Sequence, residues 1–258
     1  MALLLPGQAH AYRVDRHVVP QPVLRYYVAL ADWKRPFGRA VRALNAAHVG
    51  VRLVRAQIPD QASIQVGRLE HRCGLPGVDG TTQTLRGGYA AIYLPRKCPN
   101  GKIATIIAAH ELGHAVGLRH EDRRCALMNS SGTGRNGIPS RCFGRRFDWL
   151  RRPYRADDVA GLRRLFRNTP PVARLRLVQL DGLSASFELR VRDRERNVSE
   201  VRLDFGDGST PSEGYAVGDL PRSHDYSAPG TYTARLSAVD YYGRRDVARV
   251  RVEVVAGG

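Results

Sequence analysis

One segment constrains the fold of this chain more than any other: His-Glu-Leu-Gly-His-Ala-Val-Gly-Leu-Arg-His. The spacing of its histidines and second glycine suits one local structure. Residues four apart share one face of a helix, so His110 and His114 would direct two imidazoles to one point, with Glu111 beside them. Gly117 can adopt the positive φ that ends a helix. The chain would then turn back, and His120 would contribute a third nitrogen.

Three imidazole nitrogens leave one tetrahedral position open, which is the ligand arrangement of a catalytic zinc site. We therefore predict one Zn²⁺ ion held by His110, His114 and His120, with Glu111 as the general base. Met128 follows eight residues after the last of these histidines. A pair of solvated helix histidines is the plain alternative, but it explains neither the glycine nor the third histidine nor the methionine.

These residues resemble the metzincin signature, H-E-x-x-H-x-x-G-x-x-H followed by a Met-turn. The short interval to Met128 looks most like the matrixins, although Asn129-Ser130 stand where that family has Tyr-Pro. The resemblance implies an α+β zinc metalloprotease domain with a twisted mixed sheet and three helices. It also implies that Met128 underlies the metal without binding it, and that the acidic pair Asp157-Asp158 supports the Met-turn.

Hydrophobic periodicity predicts the elements of this domain: strands at 23–30, 51–56, 63–67 and 88–95, and helices at 34–48, 102–118 and 159–167. Pro95 closes the last strand, which suits the edge of a sheet. By resemblance, that edge would pair with an extended substrate, and substrate contacts are expected at Gly88, Tyr89, Ala90 and Ala91. An ordinary covered strand is the alternative.

The four cysteines are Cys73, Cys98, Cys125 and Cys142, an even set without C-x-x-C spacing. Disulfides formed in an oxidising compartment are favoured over a second metal site. Three pairings are possible, and proximity along the chain favours Cys73 with Cys98 and Cys125 with Cys142. The segment 72–77 is also similar to the matrixin cysteine switch, but it follows three predicted domain strands, so a disulfide is favoured over an inhibitory thiol.

Beyond Asn168-Thr169-Pro170-Pro171 the hydrophobic period changes from helical to two, which predicts a stiff linker and then a small antiparallel β-sandwich. Strands are expected at 174–180, 186–191, 198–205, 231–239 and 248–254. The motifs L-D-F-G-D-G, H-D-Y-S-A-P-G-T-Y-T and V-D-Y-Y-G resemble the polycystic kidney disease (PKD) domain, with Leu203 in place of its usual tryptophan.

We divide the chain into an N-terminal segment at 1–20, a matrixin-like domain at 21–168, a linker at 169–171 and a PKD domain at 172–256. The short apolar run of the first segment ends in Ala-His-Ala, so this segment is a candidate remnant of a signal peptide. No run approaches the ~20 apolar residues of a membrane-spanning helix.

Two further metals are considered. Ala91 and Ile92 occupy the place where matrixins carry a histidine for a structural zinc, so that second zinc is not expected. The acidic turns of the PKD-like sequence lack the ligand count that argues for calcium, and their aspartates are interpreted as structural, which leaves calcium binding open.

The net charge of +17 is confined to residues 1–170, which carry 28 Lys+Arg against 11 Asp+Glu, whereas 171–258 carry 13 of each. Thirty-eight of the 41 basic residues are Arg, and no basic run is interleaved with aromatic residues, so nucleic acid is not an expected partner. Acidic protein substrates and anionic cell-wall or matrix polymers are compatible with the charge.

These features together predict a secreted, monomeric zinc endopeptidase that cleaves extracellular proteins and carries a PKD module for targeting to a substrate or surface. The alternative is a secreted binding or adhesion protein whose metalloprotease-like domain is stabilised by metal and inactive. The presence of Glu111, which an inactive relative could have lost, favours the enzyme.

Overall fold

The chain divides into two compact units, Met1–Arg167 and Asn168–Gly258, each with its own hydrophobic core. The computed structural model describes residues 12–15, 18–72, 80–85, 88–96, 101–130, 140–142 and 148–255. Predictions that concern the leader remnant, Cys73 and Cys98 lie outside these residues. No helix in the described ranges is long and apolar enough to cross a membrane.

In its described residues, the first unit contains a five-stranded mixed sheet, a two-stranded sheet and three α-helices. Its elements are β1 Arg13–Val14, β2 Val23–Val28, α1 Lys34–Ala46, β3 Arg52–Arg55, β4 Ile64–Arg72, β5 Thr81–Thr84, β6 Ala90–Arg96, α2 Gly101–Ala115, β7 Leu118–Arg119 and α3 Ala156–Leu165. The five-stranded sheet has the order β3-β2-β4-β6-β5, and the two-stranded sheet is formed by β1 and β7. Strands β2, β3, β4 and β6 are parallel, and β5 is antiparallel to β6.

Helices α1 and α2 pack against each other and differ in how much of their surface is buried. Helix α1 buries one stripe, formed by Phe37, Ala40, Val41 and Leu44. By contrast, α2 is buried on almost every side from Ala104 to Ala115, as expected for a helix that is apolar all round. The metal-ligand candidates His110 and His114 therefore project from a helix that is held firmly by the core.

The prediction that the strand closed by Pro95 lies at a sheet edge is wrong. Strand β6 is paired on both sides, with β4 and with β5, and this pairing includes Ala90 and Ala91. Pro95 is tolerated because the ladder is irregular there: Leu94 pairs with Arg68, and the next recorded pair joins Arg96 to Arg72. The edge of the sheet is instead β5.

Other elements also differ from the sequence prediction. Strand β5 was not predicted, because Thr-Thr-Gln-Thr has no apolar alternation. Strand β4 extends to Arg72, beyond the predicted end at residue 67. Helix α2 ends at Ala115 and not at Leu118, since Leu118 and Arg119 form β7 and pair with Val14 and Arg13.

The second unit is a sandwich of two antiparallel sheets. Its strands are β8 Val172–Asp181, β9 Ser184–Arg192, β10 Val198–Asp204, β11 Ser212–Gly214, β12 Ser223–Asp225, β13 Gly230–Asp240 and β14 Arg245–Val254. One sheet has the order β11-β10-β13-β14 and the other β12-β9-β8. The predicted β-sandwich is confirmed, and Leu203 is fully buried in its core.

A cluster of aromatic rings joins the turns of this sandwich. His224 stacks on Phe205 with ring centroids 3.9 Å apart, and it contacts Tyr226 edge-on at 4.7 Å. The ring nitrogen Nε2 of His224 lies 2.6 Å from Oδ2 of Asp207, whose Oδ1 accepts the Ser209 hydroxyl at 2.6 Å. Burial would raise the pKa of Asp207, but the hydrogen bonds from Ser209 and His224 outweigh it and hold the pKa at about 2.

Asp207→Ala should therefore destabilise the sandwich at neutral pH by about 1–3 kcal/mol, because it removes acceptors from Ser209 and His224. The pKa of Asp207 is lower in the folded state than in the unfolded chain, so its contribution is present above about pH 4 and is lost as the pH falls towards 2. Urea unfolding at pH 7 and at pH 2.5 tests both points. Asp225→Ala, an exposed acid on β12, is the control, and an equal loss in both variants would contradict the assignment.

Candidate metal centre

Three histidine side chains converge at the end of α2. His120 Nε2 lies 3.2 Å from His110 Nε2 and 3.1 Å from His114 Nε2. Three nitrogens that each lie ~2.0 Å from a tetrahedral metal ion are separated by about 3.3 Å. The spacing therefore fits a single ion, and among the described residues this is the one group of His, Cys, Asp or Glu side chains that converges in this way.

In His110 and His114, the contacts of Nδ1 show which ring nitrogen carries the proton. Nδ1 of His110 lies 2.8 Å from the Leu127 carbonyl oxygen, and Nδ1 of His114 lies 2.8 Å from that of Leu118. Because a carbonyl oxygen only accepts, each Nδ1 carries the proton, and each Nε2 keeps its lone pair for a metal. These backbone contacts also fix the planes of the two rings.

Electrostatics favour the neutral form of His114. Burial and the neighbouring His110 lower the pKa of His114 to about 4, although the Leu118 carbonyl and the charge of Glu111 act in the opposite direction. At neutral pH the His114 imidazole is therefore uncharged, which is the state that binds a metal.

Gly117 turns the chain between the second and third histidines. Its φ is 100°, and its N–H donates to the His114 carbonyl at 2.9 Å. A Cβ at this position would lie 2.9 Å from Val18 Cγ2 and 3.1 Å from Leu165 Cδ1. Both the backbone conformation and the close packing therefore require glycine here.

Met128 packs against α2 at Gly113. Its sulfur would be 2.5 Å from a Cβ at Gly113, so the absence of a side chain at Gly113 admits the methionine against α2. Both residues are buried. Met128 thus contacts the helix between the two histidines that α2 contributes.

Asp158, near the start of α3, holds the backbone of this turn. Its Oδ2 accepts the Leu127 N–H at 2.8 Å and the Arg155 N–H at 2.7 Å, and its Oδ1 accepts the Met128 N–H at 3.2 Å. Burial raises the pKa of Asp158 to about 6 even though these three N–H groups lower it. The carboxylate is therefore mainly ionised at pH 7, and the support of the Met-turn that the resemblance implies is confirmed for Asp158.

The loop between His120 and Met128 is held by residues that the sequence analysis did not assign. Asp122 accepts the Ser130 hydroxyl at 2.6 Å and the Ser130 N–H at 2.7 Å, which holds the pKa of Asp122 below its usual value. Asn129 donates its side-chain amide to the carbonyls of Glu121 and Arg124. The Asn129-Ser130 pair, which departs from the matrixin sequence, thus closes the loop that carries His120.

A disulfide joins Cys125 in this loop to Cys142. This is one of the two predicted pairings, and it is confirmed. It closes a segment with a sequence separation of 17, for which the chain-entropy relation gives about 3 kcal/mol of stabilisation. The bond restrains the loop in the region where His120 is positioned.

Glu111 is buried and faces the edge strand β5. Its Oε2 lies 2.7 Å from the Thr82 hydroxyl, and its backbone carbonyl lies 3.0 Å from the same hydroxyl. A Cβ at Gly80 would lie 2.7–2.9 Å from Cγ, Cδ and Oε1 of Glu111. Gly80 and Thr82 therefore form a close-fitting wall that positions the carboxylate, and the polar sequence of β5 gave no signal of this role.

The predicted substrate contacts at 88–91 lie elsewhere in the sheet. Gly88 and Tyr89 belong to the turn between β5 and β6, where the Leu85 N–H donates to the Tyr89 carbonyl at 2.7 Å. Tyr89 is 55% exposed, whereas Ala90 is buried. The structure does not bring these residues into the histidine cluster, and their substrate contacts stay a prediction.

The motifs in the second unit were compared with known domains. The family model described as the PKD domain matches residues 168–254. Residues 168–254 are a PKD domain. The PKD domain and the Cys125–Cys142 disulfide suggest an extracellular protein, because disulfides persist in oxidising compartments.

Solved structures include related PKD domains. The PKD1 domain of Vibrio anguillarum Epp is 29% identical, with 35% of this chain and 99% of that chain covered and a TM-score of 0.30. The PKD1 domain of Vibrio cholerae metalloprotease PrtV is 28% identical, and the match covers 33% of this chain and 98% of that chain with a TM-score of 0.29. The PKD domain of the human VPS10 domain-containing receptor SorCS2 is 22% identical, and the match covers 36% of this chain and 80% of that chain with a TM-score of 0.30.

Because these scores are low, the assignment of the PKD domain rests on the family model. A comparison with curated protein sequences gives no match for the chain.

Proposed function

We propose that the first unit is a zinc-dependent endopeptidase of metzincin type, closest to the matrixins. The observation that carries this proposal is that the Nε2 atoms of His110 and His114 lie 3.2 and 3.1 Å from Nε2 of His120, with the buried residue Glu111 adjacent to His110 in the chain. The two Nδ1 contacts to carbonyl oxygens leave His110 and His114 ready to bind a metal. Three histidines and one acid are a set of side chains that suits zinc-assisted hydrolysis.

Each residue has a distinct part in this mechanism. His110, His114 and His120 hold the ion, which when bound polarises the scissile carbonyl and lowers the pKa of water. Glu111 accepts a proton from the attacking water and later passes it to the leaving amine. The wall formed by Gly80 and Thr82 restricts where this carboxylate can move, so the general base is held in one position for proton transfer.

The edge strand β5 is the proposed place where substrate is held. In the described part of the chain only β6 pairs with β5, so the backbone groups on its other side can pair with an extended peptide. Thr82 on β5 contacts Glu111, so a peptide added at this edge would pass close to the general base. This replaces the expectation that the β6 segment forms the substrate edge.

We further propose that the protein is secreted and that the PKD domain directs the protease to its substrate or to a surface. Zymography on casein with and without a chelator tests the activity. Activity that is lost with chelator and restored by Zn²⁺ is expected. Binding of one Zn²⁺ per chain without turnover of any protein would favour the alternative, an inactive adhesion protein.

Thr82→Val should lower the turnover number of the proposed reaction by about tenfold, because it removes one hydrogen bond to the general base while keeping the shape of the side chain. Zinc content should not change. Thr82→Ser retains the hydroxyl and is the matched control, expected to keep most of the activity. If the valine variant kept the wild-type turnover number, the hydrogen bond would not contribute and Thr82 would act through packing alone.

A further inference from the structure

A groove of about 760 Å³ lies on the surface of the PKD domain. It is lined by Thr169 and Pro170, by Val172 of β8, by the segment from Val191 to Arg194, and by Arg196, Val198 and Tyr215. All of these residues belong to the second unit. The groove is therefore complete within this domain.

The charge of the groove is unlike that of the domain around it. Residues 171–258 carry equal numbers of basic and acidic side chains, yet three exposed arginines, at 192, 194 and 196, meet one acid, Asp193, in the lining. None of the three arginines forms a salt bridge with another residue that the structure describes. Three guanidinium groups are therefore available for an anionic ligand.

The loop that carries these arginines is held rigidly. Glu195 accepts both the N–H and the hydroxyl of Thr169, at 3.2 and 2.6 Å. Asp193 Oδ1 accepts the Asn197 N–H at 3.0 Å. Between these anchors Arg196 has a φ of 58°, which is uncommon for a residue with a side chain. A loop anchored in this way loses little backbone entropy on binding.

One further group restricts the chemistry of the ligand. Tyr215 is 83% exposed, so the face of its ring is open to a flat sugar or hydrocarbon surface.

We propose that this groove binds an acidic polysaccharide, with carboxylates on the arginines and a sugar ring on Tyr215. Carboxylates and flat C–H faces occur together in a uronic-acid chain. A peptide made only of acidic residues offers carboxylates for the arginines but no flat ring face for Tyr215. The inference goes beyond proteolysis and does not depend on it.

The test uses the full chain and a short oligogalacturonate as the probe, in a buffer of physiological ionic strength that screens distant charges. Two triple variants remove the same charge: Arg192, Arg194 and Arg196 to Ala in the groove, and Arg235, Arg245 and Arg249 to Ala as the control. The control arginines are exposed and lie on β13 and β14. Because both variants leave the basic first unit unchanged, their difference isolates the groove.

The groove triple variant should lose affinity by about tenfold or more, and Tyr215→Ala by about fivefold, while the control triple variant changes by less than twofold. All variants should keep the melting temperature of the wild type, since the replaced side chains are exposed. Ligand should slow hydrogen exchange at residues 191–197. Equal losses in the two triple variants would show general charge attraction and overturn the proposal.

Poly-glutamate is measured beside the sugar probe. Tighter binding of poly-glutamate, together with no effect of Tyr215→Ala, would overturn the proposal in favour of an acidic protein partner. Failure of both probes to bind would show that the groove takes no polyanion. Because the readout is binding and not hydrolysis, each of these outcomes is distinct from a failure of the proposed protease activity.

Discussion

Replacing Glu111 with glutamine is expected to reduce casein hydrolysis by 10²- to 10⁴-fold while zinc stays bound. Glutamine has the same shape as glutamate, and its amide oxygen can still accept the Thr82 hydroxyl, so the packing against Gly80 is retained. It cannot take a proton from water, which is the part that the proposed mechanism gives to Glu111. The turnover number should therefore fall with little change in the affinity for a peptide substrate.

The measurement is casein zymography together with the zinc content of the purified variant. Glu121→Gln is a matched control, because Glu121 is also a buried acid near the site, but its carboxylate accepts the Arg123 N–H. This control should remain active. A Glu111→Gln protein that cleaved casein at the wild-type rate would exclude Glu111 as the general base.

The sequence predicted the histidine cluster because its determinants are local. His110 and His114 are one helical turn apart, and Gly117 lies where the chain must take a φ of 100° to return His120. Each of these requirements depends on residues within eleven positions of one another, so spacing alone was informative. The sandwich was predictable for a similar reason, since alternation along single strands shows which face is buried.

The residues that surround Glu111 could not be predicted from sequence in the same way. Thr82 reaches Glu111 only because β5 pairs with β6 and lies beside α2, and this pairing joins polar residues that have no periodic pattern. Pro95 suggested that its strand lies at an edge, but the strand is paired on both sides, and the proline lies where the β4–β6 pairing is irregular. Both cases depend on contacts between distant segments, which local propensity does not encode.

Net charge gives no information on how charged side chains are grouped in the fold. The second unit carries equal numbers of acidic and basic side chains. The fold nevertheless gathers three arginines into one groove and places an exposed tyrosine beside them. The net charge of a domain says nothing about where its charges are concentrated, whereas a ligand contacts only a few side chains.

Asp158→Ala is expected to weaken zinc binding by about 10- to 100-fold, although Asp158 is not itself a proposed metal ligand. The carboxylate accepts the Leu127 N–H, and the carbonyl of Leu127 accepts Nδ1–H of His110. Loss of Asp158 would therefore loosen the peptide that orients His110. It would also leave the N–H groups of Leu127, Met128 and Arg155 without this acceptor, at a cost of about 3 kcal/mol or more in unfolding free energy.

Two variants separate support of the metal from general stability. Asp148→Ala removes a carboxylate that also accepts two backbone N–H groups, but on an exposed turn, so it should cost less than about 1 kcal/mol and leave zinc affinity unchanged. Asp158→Asn keeps one acceptor oxygen and should be intermediate in both measurements. Zinc affinity by competition with a chelator and stability by urea unfolding, both at pH 7.5, give the comparison. If Asp158→Ala lost stability while its zinc affinity stayed at the wild-type value, the Leu127 peptide would not be what holds His110 in place.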